Sequence, residues 1–349
     1  MTDTPIESLS RLPGMRRKAI SMSQESLVRI EPLAPGRKLP MVVHPAVDGL
    51  DLAGWAKGHQ DLVESELRRH GGLLFRGFGL RSTEEMEKVI RALYGELLQY
   101  TDRVQPRTQV SNQIYSSTEY PPDQTIELHN ESSYAYTWAL RIFFFCITPS
   151  PFGGATPLAD GRGVFARMDP AVRQRLLEKK VMYIRNFGDG LGITWQTAFQ
   201  TDDRARMEEF CRTRGIELEW RDRNRLRTRS VRPVALPHPR TGEWSWFNAL
   251  ISSHSSTLDP AVRQALLTEY AEDELPKNVF YGDGSPLEPE TLAEIRRASR
   301  EETVAFPWQE GDLLLLDNML VAHGRAPYQG PRKVVVGMAE PVSLGNFSL

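Results

Sequence analysis

The chain has 349 residues, 40% hydrophobic and 25% charged, with a formal net charge of −2. That length buries one large core or two ordinary ones, and so even a charge leaves no electrostatic footprint for nucleic acid or a membrane surface. Its two cysteines, Cys146 and Cys211, form no CxxC pair and no disulfide framework, which suits a reducing compartment and predicts a cytoplasmic protein.

Residues 1–37 are polar and weakly patterned, and "RLPGMRRKAISMSQ" within them reads as a flexible basic arm; residues 38–349 read as a single domain. Residues 50–69 space Leu52, Trp55, Leu62, Val63 and Leu67 as a helix does. "GGLLFRGF" (71–78) reads as a strand between glycines. Ser82 and Glu85 open a helix over 82–97 with a capping box.

Strands dominate the middle. "RIFFFCIT" (141–148) is a buried strand closed by "PSPFGG", and its apolar run Ile142–Ile147 is far too short to span a bilayer. A short strand and a helix follow in "ATPLADGRGVFARMDPAVRQRLLEKK", then a strand at 181–187, a helix at 202–215 and a strand in "WSWFNAL". Two helices, "DPAVRQALLTEYAED" and "EPETLAEIRRASREE", complete a helical insertion over roughly 195–300. The end returns to β in "ETVAFPW", "GDLLLLDNMLVAHG" and "RKVVVGMAE". Short strands with helices inserted between them predict an α+β fold, a jelly-roll core decorated with helices and long insertions. No βαβ series with a glycine-rich phosphate loop occurs.

Seven histidines and 45 acidic residues make about one His-x-Asp/Glu expected by chance. The chain holds two. His59 and Asp61 lie in a helical pattern, where side chains two apart point about 200° from each other, so they read as an exposed helix face. His129 and Glu131 precede a strand, where side chains two apart share a face. His70 reads as a helix C-terminus, His238 lies between two prolines and His254 sits in a serine cluster. His323 stands where a β run gives way to a polar turn, well placed to complete a site. Two imidazoles and one carboxylate on one side of an ion are the ligand set of non-haem Fe(II) oxygenases; zinc accepts the same groups.

The stretches "LHNESSY", "FGGATPLADGR", "GDLLLLDNMLVAHGRAPYQGPRKVVVGM" and, more weakly, "GGLLFRGF" resemble the taurine dioxygenase-like (TauD/TfdA) family of Fe(II)- and 2-oxoglutarate-dependent oxygenases, over roughly residues 70–341. The resemblance implies a double-stranded β-helix that uses Fe(II), 2-oxoglutarate and O2. It maps the iron ligands onto His129, Glu131 and His323, and the 2-oxoglutarate carboxylate onto Thr156 and Arg332, with neighbouring Lys333 pointing outward. Glutamate at position 131 is similar to members that oxidise amino acids, and it argues against a halogenase, in which a small residue leaves room for chloride. "YSSTEYPPDQTIELHNE", "YIRNFGDGLGITWQTAFQTDD", "WFNAL" and "VFYGDGSPLE" resemble the syringomycin hydroxylase type found with nonribosomal peptide pathways. This implies β-hydroxylation of an amino acid, free or tethered to a carrier protein, with desaturation or epoxidation as other outcomes of the same oxidant. A rival of another class is a jelly roll that binds a ligand without turnover.

Candidate pocket walls are Tyr115, Glu119, Tyr134, Arg141, Trp195 and Asn248, with Arg141 suited to a substrate carboxylate and Glu119 to an amine. Each has a plainer reading: aromatic residues in strands are usually core, and Arg141 can be a surface charge at a strand start. Asp317 and Asn318 are expected to orient His323 or its turn through hydrogen bonds.

Overall fold

Alternation along one strand decides the architecture. In Thr137–Thr148, Phe143 and Phe145 face one way while Ile142, Phe144 and Cys146 face the other, and all five are buried. A strand with two apolar faces belongs at the centre of a layered structure. The computed structural model describes residues 27–99, 109–111, 113–116, 120–188, 192–221 and 224–347. In it this strand lies between Leu313–Asp317 and Lys333–Ser343, inside an eight-stranded sheet.

The Phe143 and Phe145 face meets the helices Leu52–Gly58, Gln60–His70 and Thr83–Tyr94 through Trp55, Leu67, Met86 and Ile90. Ser82 and Glu85 form the expected capping box on the last of these. On the opposite face Phe144, Leu314, Leu316, Val334 and Val336 share a cluster with Leu158 and Val321. Those two belong to a second sheet of four strands, ordered Thr303–Val304, Leu158–Asp160, Val321–Arg325, Ile126–His129. The two sheets face each other as the predicted jelly roll, with a lumen between them.

Behind the smaller sheet lies a third layer. Glu217–Trp220, Leu226–Arg232, Val181–Phe187 and Lys277–Tyr281 form an antiparallel sheet of their own. Tyr183, Val279 and Tyr281 from it cluster with Ala159, Leu250 and Ile295. The insertion is therefore mixed α and β rather than helical. Among the described residues no helix is long and apolar enough to cross a membrane.

Other boundaries also moved. Residues 1–26 of the expected arm lie outside the described residues, but Val28–Pro32 already pairs with Met41–Pro45, so the folded part begins before residue 38. The helix expected over 50–69 is two helices broken at His59, whose Nδ1 meets the Trp55 carbonyl at 2.7 Å. The helix after Asp160 is likewise two, because Asp169 caps a new start with Pro170 at its first turn. "WSWFNAL" is a strand only over Trp244–Trp246. The run "GDLLLLDNMLVAHG" changes sheets: Leu313–Asp317 lies in the large sheet and Val321–Arg325 in the small one. Asp317 stabilises the crossing turn, its Oδ1 accepting from the amides of Met319 (3.0 Å) and Leu320 (3.2 Å).

Candidate active site

His323 sits within Val321–Arg325 rather than at its end, directly opposite His129 in the antiparallel register. Directly opposed residues send their side chains to the same face, and here both imidazoles enter the lumen, with ring centroids 4.6 Å apart. The edge of Phe144 packs against the His323 ring at 4.9 Å. Glu131 arrives by a different route from the one expected. The strand ends at His129, and Glu131 stands in the turn that follows, where Ser132 takes a φ of 55°. Convergence depends on that turn and not on strand pleating.

One ligand atom from each of the three side chains lies within 4.8 Å of the others, and His323 Nε2 is 3.9 Å from Glu131 Oε2. His129 Nδ1 is 2.8 Å from the Glu127 carbonyl. A carbonyl oxygen only accepts, so Nδ1 carries the hydrogen and Nε2 presents its lone pair to the cluster. A backbone acceptor of this kind also fixes the ring of a metal-ligating histidine. Two nitrogens and one carboxylate oxygen meeting at a buried point therefore fit a divalent iron ion.

Asparagines hold the segment that carries these groups. The Glu131 amide donates to Asn318 Oδ1 at 2.8 Å, and Asn318 Nδ2 donates to the Glu131 and Ala139 carbonyls, both at 2.9 Å. Asn130, between the histidine and the glutamate, donates through Nδ2 to the Asn318 carbonyl at 2.7 Å. Its Oδ1 accepts from the Asn248 amide at 3.1 Å. Asn318 thus orients Glu131 rather than His323.

His129, His323, Thr156 and Arg332 line one small cavity of about 40 Å³, with Phe144, Val334 and Val336 as apolar wall. Thr156 is buried, and its hydroxyl accepts from Trp308 Nε1 at 3.1 Å, leaving its hydrogen to donate. Arg332 is anchored by Nε to the Gly154 carbonyl at 2.9 Å. Burial, and then the nearby Arg325, lower its pKa from the usual arginine value. Such a cation favours an anionic guest. Lys333 is exposed to solvent. Gly154 makes the arrangement possible: it has a φ of 74°, and a Cβ there would lie 3.0 Å from Arg332 Cδ.

The expected substrate walls fare unevenly. Tyr115 is buried in the cluster that fills the lumen, with Phe144 and Val336. Glu119 lies outside the described residues. Tyr134 lines a separate cleft with Arg185, Phe199 and Lys277. Trp195 is core of the insertion, edge-on to Trp220 at 5.3 Å. Asn248 is occupied as a brace: beyond Asn130, its Nδ2 donates to the Val234 carbonyl at 2.7 Å and its Oδ1 accepts from the Leu250 amide at 3.0 Å. Arg141 is neither a pocket wall nor a surface charge. It is fully buried on the helix-covered face, away from the lumen, and pairs with Asp317, Glu64 and Glu340. Phe143 and Phe145 of its strand face the helices, and 141 continues their alternation.

Sequence reasoning missed Gly154, Trp308, Asn130 and Arg325. Only Asn130 carried a signal, standing inside the His-x-Glu motif itself.

A jelly roll with two histidines and a carboxylate at the lumen, and a cationic cavity leading away from them, has the layout of a non-haem Fe(II) oxygenase. The chain belongs to the taurine catabolism dioxygenase TauD, TfdA family, whose family model matches residues 29–338. It is an Fe(II)- and 2-oxoglutarate-dependent dioxygenase, with O2 as the other co-substrate. It is 36% identical over 280 residues to the dapdiamide synthesis protein DdaC of Enterobacter agglomerans, covering 80% of this chain and 85% of that one. It is 30% identical over 294 residues to a clavaminate synthase-like protein of Arabidopsis thaliana, covering 81% and 86%. The crystal structure of the PvcB protein of Pseudomonas aeruginosa shares the fold, with a TM-score of 0.55 at 16% identity over 93% of this chain and 94% of that one.

Proposed function

We propose that this dioxygenase hydroxylates an unactivated C–H bond, at the β-carbon, of an amino acid that is free or tethered to a carrier protein, in the synthesis of a specialised metabolite. His129, Glu131 and His323 would hold the iron, and Thr156 and Arg332 the far carboxylate of 2-oxoglutarate. The observation that carries this reading is the single cavity lined by both imidazoles, a hydroxyl donor and a guanidinium. Glutamate at 131, the pattern that the resemblance links to amino-acid oxidation, supports the substrate class. Similarity to a protein named for dapdiamide synthesis supports a place in specialised-metabolite synthesis.

When bound, iron and 2-oxoglutarate supply the oxidising power: O2 and 2-oxoglutarate are consumed, succinate and CO2 leave, and one oxygen atom enters the C–H bond. The chain's own residues do the rest. His129 keeps its Nε2 lone pair directed inward through the Glu127 carbonyl. Arg332 can meet a carboxylate with two parallel hydrogen bonds, and Thr156 can add a third. Phe144, Val334 and Val336 exclude water from the space between, which strengthens those contacts. Buried thiols at Cys146 and Cys211, neither of them in a disulfide, suit the reducing cytoplasm.

The test is aerobic turnover with Fe(II), 2-oxoglutarate and a panel of amino acids, free and carrier-loaded. The expected result is succinate matched to a product about 16 Da heavier; a loss of about 2 Da marks desaturation instead. An absence of succinate with every candidate would favour the non-catalytic jelly roll. Arg332→Ala should raise the 2-oxoglutarate requirement, and Lys333→Ala should not. The reverse result would reassign the carboxylate to Lys333.

A further inference from the structure

Arg325 lies two residues beyond His323 on the same strand, so its side chain enters the lumen on the same face. It lines the same cavity as Thr156 and Arg332 and is 5% exposed. Its terminal nitrogens are committed to backbone. Nη1 donates to the Tyr120 carbonyl at 2.9 Å, and Nη2 to those of Pro121 (2.5 Å) and Gln124 (2.9 Å). Its Nε is buried and has no hydrogen-bond partner.

An unsatisfied donor in a dry site is costly, and a second cation nearby adds to that cost. Tyr328 stands between the two guanidiniums, with its ring centroid 5.2 Å from Arg325 Cζ and 5.5 Å from Arg332 Cζ. Among the described residues neither arginine forms an ion pair, and no carboxylate lines the cavity. If Arg325 served only to tie down the 120–124 segment, burying a full charge with an idle donor would be an expensive way to do it. A guest with two negative oxygens at that end would satisfy both cations and the idle N–H together.

We propose that Arg325 is a co-substrate-binding residue, its Nε joining Arg332 in a two-guanidinium clamp that selects a dicarboxylic 2-oxo acid over a monocarboxylic one. This rests on the assignment of Arg332 to the far carboxylate. The clamp also joins co-substrate to metal ligand, because the segment held by Arg325 leads directly into Ile126–His129.

Anaerobic calorimetric titration of the Fe(II)-loaded protein tests it, with 2-oxoglutarate and with pyruvate, which lacks the far carboxylate. Arg325→Met is expected to weaken 2-oxoglutarate by at least about tenfold, the loss of one charge-assisted hydrogen bond, and to leave pyruvate unchanged. Arg325→Lys keeps the charge but offers no donor at the Nε position, so it should lose the same selectivity. A purely structural Arg325 would weaken both ligands equally or neither, and either outcome in a folded variant overturns the proposal. If Arg325→Met does not fold, the selectivity ratio of Arg325→Lys decides. Arg332→Met separates the two claims: unchanged 2-oxoglutarate affinity there refutes the assignment to Arg332, whatever Arg325 does.

Discussion

Asn318 holds Glu131 from both sides of its α-carbon, accepting from the glutamate's amide at 2.8 Å and donating to its carbonyl at 2.9 Å. The two residues are 187 positions apart, and Asn318 lies in the turn that crosses between the sheets. Chain crossing and carboxylate are thereby one rigid unit, and the side chain that orients Glu131 is itself fully buried.

Asn318→Ala should therefore damage the metal site more than its distance from the ion suggests. Loss of such outer support typically costs about 10- to 100-fold in metal affinity. The unpartnered Glu131 amide and carbonyl should also cost about 2 kcal/mol of stability. Anaerobic Fe(II) titration and denaturant unfolding measure the two effects.

His129→Ala and His323→Ala should each abolish tight Fe(II) binding, because two donors no longer surround the ion. In the parent protein, metal at 100 times its dissociation constant should add about 2.7 kcal/mol of stability. Thermal unfolding with and without Mn(II), a redox-stable substitute, should show that gain in the parent and lose it in both variants.

Gly154→Ala should weaken 2-oxoglutarate without touching the metal. The new methyl meets Arg332 Cδ at 3.0 Å and Nε at 3.1 Å, at a φ of 74° that a side chain resists. The guanidinium must move, and titration should show loss of 2-oxoglutarate affinity with Fe(II) affinity retained.

Asp317 links stability to pH. Burial pushes its carboxyl upward, but the Arg141 guanidinium and His238 outweigh that and hold it below the ordinary value of 3.8. Its ionised form is thus favoured by folding. The stabilisation is complete above about pH 4 and is lost as pH falls through the lowered value. Asp317→Asn should remove that part of the acid dependence. It should also cost about 3 kcal/mol at neutral pH, since Arg141 stays buried with less compensation. Unfolding free energies from pH 7 down to pH 3 would show both.

Much of the site was legible because its signals are local. His129 and Glu131 stand in one short motif, Thr156 in another, and His323 and Arg332 in a third, and each motif keeps its neighbours whatever the fold. Arg141 was misread for a physical reason. Period-two alternation says that two sets of residues face opposite ways, but not which set meets the lumen when both are apolar. Trp195 packs into the insertion's own core and Tyr134 lines a separate cleft, because an aromatic residue near the site in sequence can as well serve another part of the fold. The bonds between Asn318 and Glu131 were not legible because they join residues 187 positions apart.

Residue type and short-range spacing were enough to determine the ligand chemistry, the capping box at Ser82 and the strands, since donor atoms, helix starts and apolar alternation are properties of a few neighbouring residues. Tertiary structure alone decided that Glu131 reaches the histidines from a turn, that Arg141 faces the helices, and that Arg325 joins Arg332 in one cavity. Those outcomes depend on which faces the two sheets turn toward each other, a choice made by packing over the whole chain.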